Sequence, residues 1–177
     1  MDYLEHHKKI RGIQEMEIRR LLGYEVEDAL NLAEQVFMEN NAPNFTPTMV
    51  NYFETSIIHN PDFIKGYKDR TCKIYGAIIK GYTIIGVLSL NKDDKKINLL
   101  FIRNDYQNQG IASKLINKLL LDNPDIQELY VNSPLEGLRF YKSFGFEETG
   151  SRVDSGGVSF IPLKYIRIID RRDTGDY

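Results

Sequence analysis

INLLFIRNDYQNQGIASKLINKLLL, residues 97–121, decides how the rest of the chain is read. It opens as an apolar strand, Ile97 to Ile102, and passes through a polar turn, Arg103 to Gly110. A helix follows, because Ile111, Leu115, Ile116, Leu119 and Leu120 recur at the spacing of one helical face. Between strand and helix, Gln107 to Ala112 spell Q-x-x-G-x-A. Gly110 and Ala112 are small where a backbone must come close to something. The first amides of a helix have no acceptor within it, and together with the dipole they can hold a phosphate. The same turn is also compatible with a purely structural role. It is neither G-x-G-x-x-G nor a Walker A, since the second glycine, the lysine and the Ser/Thr are missing at the required spacings.

Working outward, Cys72–Lys80 and Tyr82–Leu90 read as strands around a Lys80-Gly81 hairpin signal. Asn91–Lys95 is a second turn, and Lys96–Ile102 completes an antiparallel meander. Further upstream, residues 1–12 read as an extension and Glu17–Leu22 as the first strand. Tyr24–Glu39 is a helix with Glu25, Glu27 and Asp28 in its first turn, where the dipole favours acids. Asn40–Pro47 breaks the chain. A second helix then starts at a Thr46 cap with Pro47 in its first turn, and His59-Asn60-Pro61-Asp62 closes it. Downstream, Asp122–Asp125 ends the organising helix, because the residue before Pro124 is biased away from the helical region. Glu128–Val131 is a fifth strand, and a strand-helix-strand crossover makes it parallel to the fourth. Leu135–Phe144 is a short helix stopped by Gly145. Phe146–Val153 and Val158–Ile168 are two last strands around residues 154–157, and residues 169–177 form a charged tail. No repeat or linker divides the chain, so residues 1–177 are expected as one domain.

Composition narrows the function. A hydrophobic content of 42% and a charged content of 27% are those of a globular chain, and a formal net charge of -2 argues against nucleic acid as a partner. No apolar run reaches the ~18 residues of a membrane span, and the N-terminus is too polar for a signal peptide. Cys72 is the single cysteine, which excludes an intrachain disulfide and makes a reducing, cytoplasmic setting the expectation. Three scattered histidines and one cysteine suggest no metal site.

A second constellation follows the first: Tyr130-Val131-Asn132-Ser133 ending a strand, then Phe140-Tyr141-Lys142-Ser143-Phe144-Gly145-Phe146. Taken with Q-x-x-G-x-A, these resemble the GNAT superfamily of acetyl-CoA-dependent N-acetyltransferases. That family carries Q/R-x-x-G-x-G/A after its fourth strand and a tyrosine in a Y-x-x-x-G-F segment. The resemblance covers about Lys73 to Lys164. It implies an α/β fold: a mixed, mostly antiparallel twisted sheet with helices on both faces and a V-shaped split between strands four and five. It implies transfer of an acetyl group from acetyl-CoA to an amine of a small molecule or peptide, directly in a ternary complex. The partners are then acetyl-CoA and an amine acceptor, with no nucleic acid, membrane or metal, and the chain a monomer or homodimer.

By this resemblance Gln107, Asn108, Gln109, Gly110, Ile111, Ala112 and Ser113 hold the pyrophosphate through backbone amides. Leu100, Phe101 and Ile102 pair their backbone with the pantetheine arm, in a slot that a bulge opens, and an amide there can face the thioester carbonyl. Asn132 bonds the cofactor's amides, although a turn-forming asparagine is an equal reading. The chain departs from the family pattern at Pro134, where many members have Asn, and at Gly137, where Ala is usual. The helices of residues 24–58 wall the acceptor site.

The residues carry the chemistry unevenly. Tyr141 is the candidate acid: an ordinary phenol, of pKa about 10, is neutral at pH 7 and can donate to a departing thiolate. No carboxylate alternates into INLLFI, so the base is unassigned among Glu39, His59 and water. Cys72 sits in a strand without a His/Asp pattern and reads as packing, not as a nucleophile. Two other classes stay open. One is a non-catalytic acyl-CoA-binding regulatory domain, motivated by the missing base. The other is a nucleotide-dependent phosphotransferase, which lacks its lysine and Mg²⁺ ligand.

Overall fold

A computed structural model describes residues 15–155 and 157–168; the extension over residues 1–12 and the tail over residues 169–177 lie outside the described residues. Its first sheet runs β1-β2-β3-β4 and is antiparallel throughout: Glu17–Arg20, Ile74–Ile79, Thr83–Leu90 and Ile97–Ile102. Lys80 and Gly81 both adopt positive φ, so the expected hairpin forms at that pair. Every residue of β2 is buried. An unbroken apolar strand such as IYGAII needs helices on both of its faces, and it has them.

One face is covered by α1, Val26–Asn40, which buries Val26, Ala29, Leu30, Ala33, Val36 and Phe37 over β3 and β4. Glu25 ends the turn before α1. Its carboxylate accepts from both Arg19 guanidinium nitrogens at 2.8 and 2.7 Å and from the Leu22 amide at 2.8 Å. α2, Pro47–Phe53, starts at Thr46, whose hydroxyl accepts from the Met49 amide at 3.4 Å. It continues as a wide π turn, Glu54–Ile58. Residues 59–62 were expected only to close this helix; they also open a third. Pro61 pushes Asn60 out of the helical region, and Asn60 then accepts from the amides of Asp62 and Phe63 to start α3, Pro61–Lys68.

The other face is covered by α4, Ile111–Asp122, which buries Ile111, Leu115, Ile116, Leu119 and Leu120 over β1, β2 and β3. β5, Glu128–Pro134, returns parallel to β4, but among the described residues the two are bridged only just before β4, where Lys96 pairs with Tyr130. The Tyr130 amide donates to Lys95 at 2.7 Å, and beyond that point β5 belongs to a second sheet. That sheet pairs β8, Val158–Ile166, with β5, with β6, Glu147–Glu148, and with β7, Val153–Ser155. The expected strand Phe146–Val153 is therefore two short ones. Residues 149–152 stand against only Ile161 and Pro162 of β8, so the ladder breaks there: the Thr149 amide still donates to the Pro162 carbonyl at 2.9 Å, but Pro162 has no N–H to return. α5, Leu138–Phe144, ends at Gly145, φ 115°, whose amide bonds back to Tyr141 and Lys142.

The split between β4 and β5 has a local companion. Ser89 faces Leu99 and Leu90 faces Ile97, so Asn98 is an extra residue, a bulge in β4. Its Nδ2 is buried without a hydrogen-bond acceptor. Burial raises the nearby Tyr67 phenol, and Ser89 and then Asn98 oppose that rise, yet the amide is not in bonding geometry with it.

Candidate functional site

Between the diverging strands lies a cleft of about 920 Å³. One end of it is made by the turn after β4. Asn104–Tyr106 form a single tight turn, Gln107 is extended, and Asn108 and Gly110 take left-handed φ of 58° and 76°. Asparagine tolerates that region and glycine enters it freely. A Cβ at Gly110 would meet nothing within 4 Å, so this glycine answers a backbone angle and borders open space. No side chain caps α4. The amides of Ile111, Ala112 and Ser113, the first turn, are the ones a helix cannot satisfy itself.

All the residues expected to bind the cofactor line this cleft except Gln109. The Gln109 side chain donates to the Asp105 carbonyl at 3.3 Å and lies off the cleft. Its long amide reaches back along its own loop, which spacing alone does not show. The Gln107 side chain donates to the Ile102 carbonyl at 3.0 Å and to Asn104 Oδ1 at 2.9 Å, tying the turn to the end of β4. Asn132 is exposed on β5 and lines the cleft, whereas the neighbouring Ser133 is buried with its hydroxyl on the Pro134 carbonyl.

Tyr141 lines the same cleft from α5. It is 7% exposed, with its ring edge-on to Phe140 and Phe146 at 5.2 Å each. Burial pushes its phenol well above the ordinary value of about 10, with no charged neighbour opposing it. Gly137 is explained by this packing: a Cβ there would stand 3.2 Å from Ser133 Oγ and 3.4 Å from the Tyr141 ring.

The candidate bases lie elsewhere. Glu39 accepts from Gln35 at 2.9 Å and from Asn104 at 2.6 Å, and His59 pairs with Glu34 at 3.0 Å; both are exposed and neither lines the cleft. Cys72 is buried under Gly66. Among the described lining residues the formal charges are Lys96 and Glu136, both exposed. Glu136 was missed because a single acid in Pro-Leu-Glu-Gly reads as a turn residue. The opposite wall is aromatic: Phe37 stacks on Phe53 at 3.8 Å, and Phe45 and Phe101 meet them edge-on at 5.5 and 5.9 Å. These four come from four separate elements, so no sequence window contains them. Across the mouth, the β7–β8 turn comes against the α2 cap, where Gly157 leaves room for Thr46.

Among the described residues, no three His, Cys, Asp or Glu side chains are placed to share a metal ion, and no helix is long and apolar enough to cross a membrane.

Comparison with solved structures finds the same architecture. A GCN5-related N-acetyltransferase from Rhodopseudomonas palustris aligns with a TM-score of 0.68 at 14% identity, over 85% of this chain and 95% of that one. The PaiA N-acetyltransferase of Thermoplasma acidophilum in complex with coenzyme A aligns with a TM-score of 0.66 at 16% identity, over 86% and 99%. A chimeric spermidine N-acetyltransferase from Vibrio cholerae aligns with a TM-score of 0.55 at 16% identity, over 86% and 95%. No curated protein matches by sequence. The family model described as "Acetyltransferase (GNAT) domain" matches residues 41–167, well over half of the sequence, and the chain belongs to that family.

Proposed function

We propose that this chain moves an acetyl group from acetyl-CoA to an amine, directly within a ternary complex. One observation carries the reading: the uncapped start of α4, with its two left-handed residues, opens onto the same cleft that Tyr141 lines. In this reading Asn108 and Gly110 to Ser113 hold the pyrophosphate through main-chain amides. The Gln107 side chain braces the turn. Leu100 to Ile102 offer their backbone to the pantetheine arm, and Asn132 its amide. Tyr141 directs its hydroxyl at the thioester sulfur. A phenol raised by burial stays protonated across the working range and hydrogen-bonds to a developing thiolate. The related fold crystallised with coenzyme A supports a CoA ligand here too. The same reading puts the chain in the cytoplasm, where its single cysteine would stay reduced.

A non-catalytic acyl-CoA-binding domain is the second reading, favoured by one observation: neither Glu39 nor His59 reaches the cleft. A screen of amines that follows free thiol release separates the two. Steady turnover by any amine sinks the binding-domain reading, and CoA binding without turnover sinks the enzyme.

A further inference from the structure

The acetyl-transfer reading leaves the acceptor and the proton it must lose unassigned, and the walls of the cleft address both. Resting on that reading, we infer that the acceptor is a monoamine with an apolar, preferably aromatic, body, and that the cleft deprotonates it by desolvation and not through a dedicated base.

The part of the cleft facing α1 and α2 is built mainly from Phe37, Phe45, Met49, Phe53, Ile57 and Phe101, with Asn40, Asn41 and Tyr52 beside them. The rings brace one another at 3.8 to 5.9 Å, so the wall is set before anything binds. Such a surface rewards apolar area and offset or edge-on rings. It offers a polycation ring faces but no row of counter-charges. A polyamine needs several carboxylates along its length, and among the described lining residues there is one, Glu136, exposed on the α5 side. The chimeric spermidine enzyme shares the fold at 16% identity, which carries no substrate across.

The same wall acts on the ammonium group. A free alkylamine has a pKa near that of lysine, about 10.4. Taking it out of water disfavours the charged form; ring faces return part of that cost through cation–π attraction, and a nearby carboxylate would return more. Among the described residues, the titratable groups facing the cleft are Tyr52 from α2, Tyr106 from the β4–α4 turn, Lys96 just before β4, Glu136 from the turn before α5, and Tyr141 from α5. Three of these are tyrosines and not carboxylates. Lys96 repels an ammonium, and Glu136 is solvated. The ammonium therefore releases its proton to water on entering. The neutral nitrogen attacks the thioester carbon, the C–N bond forms and the C–S bond breaks. The nitrogen gives up one further proton, and the thiolate gains one, so charge and atoms balance.

The test measures kcat and kcat/KM for ethylamine, 2-phenylethylamine and spermidine with acetyl-CoA, each across pH. The expected result is 2-phenylethylamine above ethylamine by roughly 100-fold in kcat/KM, since a single methylene is already worth about 10- to 200-fold. Spermidine should rank lowest. For 2-phenylethylamine kcat should level off at least about one unit below the free amine's pKa, because kcat reports the bound complex while kcat/KM reports the free species. Tyr52→Glu adds a carboxylate at a lining residue that is 54% exposed, so folding should be spared. It should move the kcat inflection upward and raise spermidine's rank. Spermidine or ethylamine equalling 2-phenylethylamine overturns the inference and leaves acetyl transfer standing. So does hexanoyl-CoA outperforming acetyl-CoA with ethylamine, which would make the wall an acyl-chain site. CoA binding with no turnover of any amine overturns both.

Discussion

Tyr141 and Gly110 show how differently two residues of one motif set can be constrained. The Tyr141 hydroxyl makes no hydrogen bond among the described residues, while its ring is packed between Phe140 and Phe146. Tyr141→Phe therefore removes an oxygen with no partner to orphan, and the melting temperature should hold or rise slightly. If the hydroxyl serves the departing sulfur, kcat should fall about 10- to 100-fold while the Kd for CoA stays put. That is at or below the bottom of the roughly 100- to 10,000-fold range for an acid, because burial raises the phenol above the value its sequence context suggested. Unchanged kcat per folded molecule would remove Tyr141 from the mechanism. At Gly110 the constraint is φ, 76°, with open space beyond the Cβ. Gly110→Ala should cost about 1–2 kcal/mol in stability through left-handed strain alone. Gly110→Glu should lose CoA binding as well, by projecting an anion where phosphates would lie. Calorimetry with CoA on both variants separates strain from repulsion; equal affinity in the two would mean the turn is structural.

Among the elements, the approach to α1 depends on an ion pair that spacing does not reveal. Glu25 is 8% exposed, and its carboxylate sits below the ordinary carboxylate range, held there first by the Arg19 guanidinium and also by the Leu22 amide. A lowered folded pKa means that the unfolded chain binds the extra proton. The stabilisation is then complete above the ordinary Glu value near 4.5 and is lost as pH falls through the folded value. Glu25→Gln should cost about 1–3 kcal/mol at pH 7, below the roughly 3–5 kcal/mol for breaking a fully buried pair because Arg19 keeps some solvent. Thermal melts of both proteins from pH 7 to pH 3 should show the gap closing at the acid end. A constant gap would assign the loss to packing. The caps at Thr46 and Asn60 follow a different logic. Each precedes a proline, and the pair is readable locally in both cases, yet a run of four turn-forming residues, 59–62, conceals that one helix ends and another starts.

At the scale of the molecule, the two sheets share a single bridge among the described residues, Lys96 to Tyr130, and enclose the cleft where they part. A ligand lying in that cleft would contact both sheets, so binding should appear as global stability. CoA at about 100 times its Kd should add about 2.7 kcal/mol, a rise of roughly 5–10 °C for a chain of this size. Differential scanning fluorimetry at millimolar CoA tests it, and no shift would sink both the enzyme and the binding-domain readings.

Much of the architecture was legible in the linear chain because it rests on short-range rules. Apolar period marks β2, β3 and α4; Lys80-Gly81 marks a hairpin; Thr46-Pro47 marks a helix start; Gly145 marks a helix end. The Q-x-x-G-x-A and Y-x-x-x-G-F segments also name residues that the fold then carries to one cleft. The break between β6 and β7 was hidden, since it depends on Pro162 of a strand that had first to be paired. So was the bulge at Asn98, which exists only as a mismatch between β3 and β4. The convergence of Phe37, Phe45, Phe53 and Phe101, the exclusion of Gln109 and the burial that shifts Tyr141 were decided by tertiary structure alone. Each depends on which distant surfaces meet when the two sheets splay, and desolvation is a property of that meeting and of no residue taken by itself.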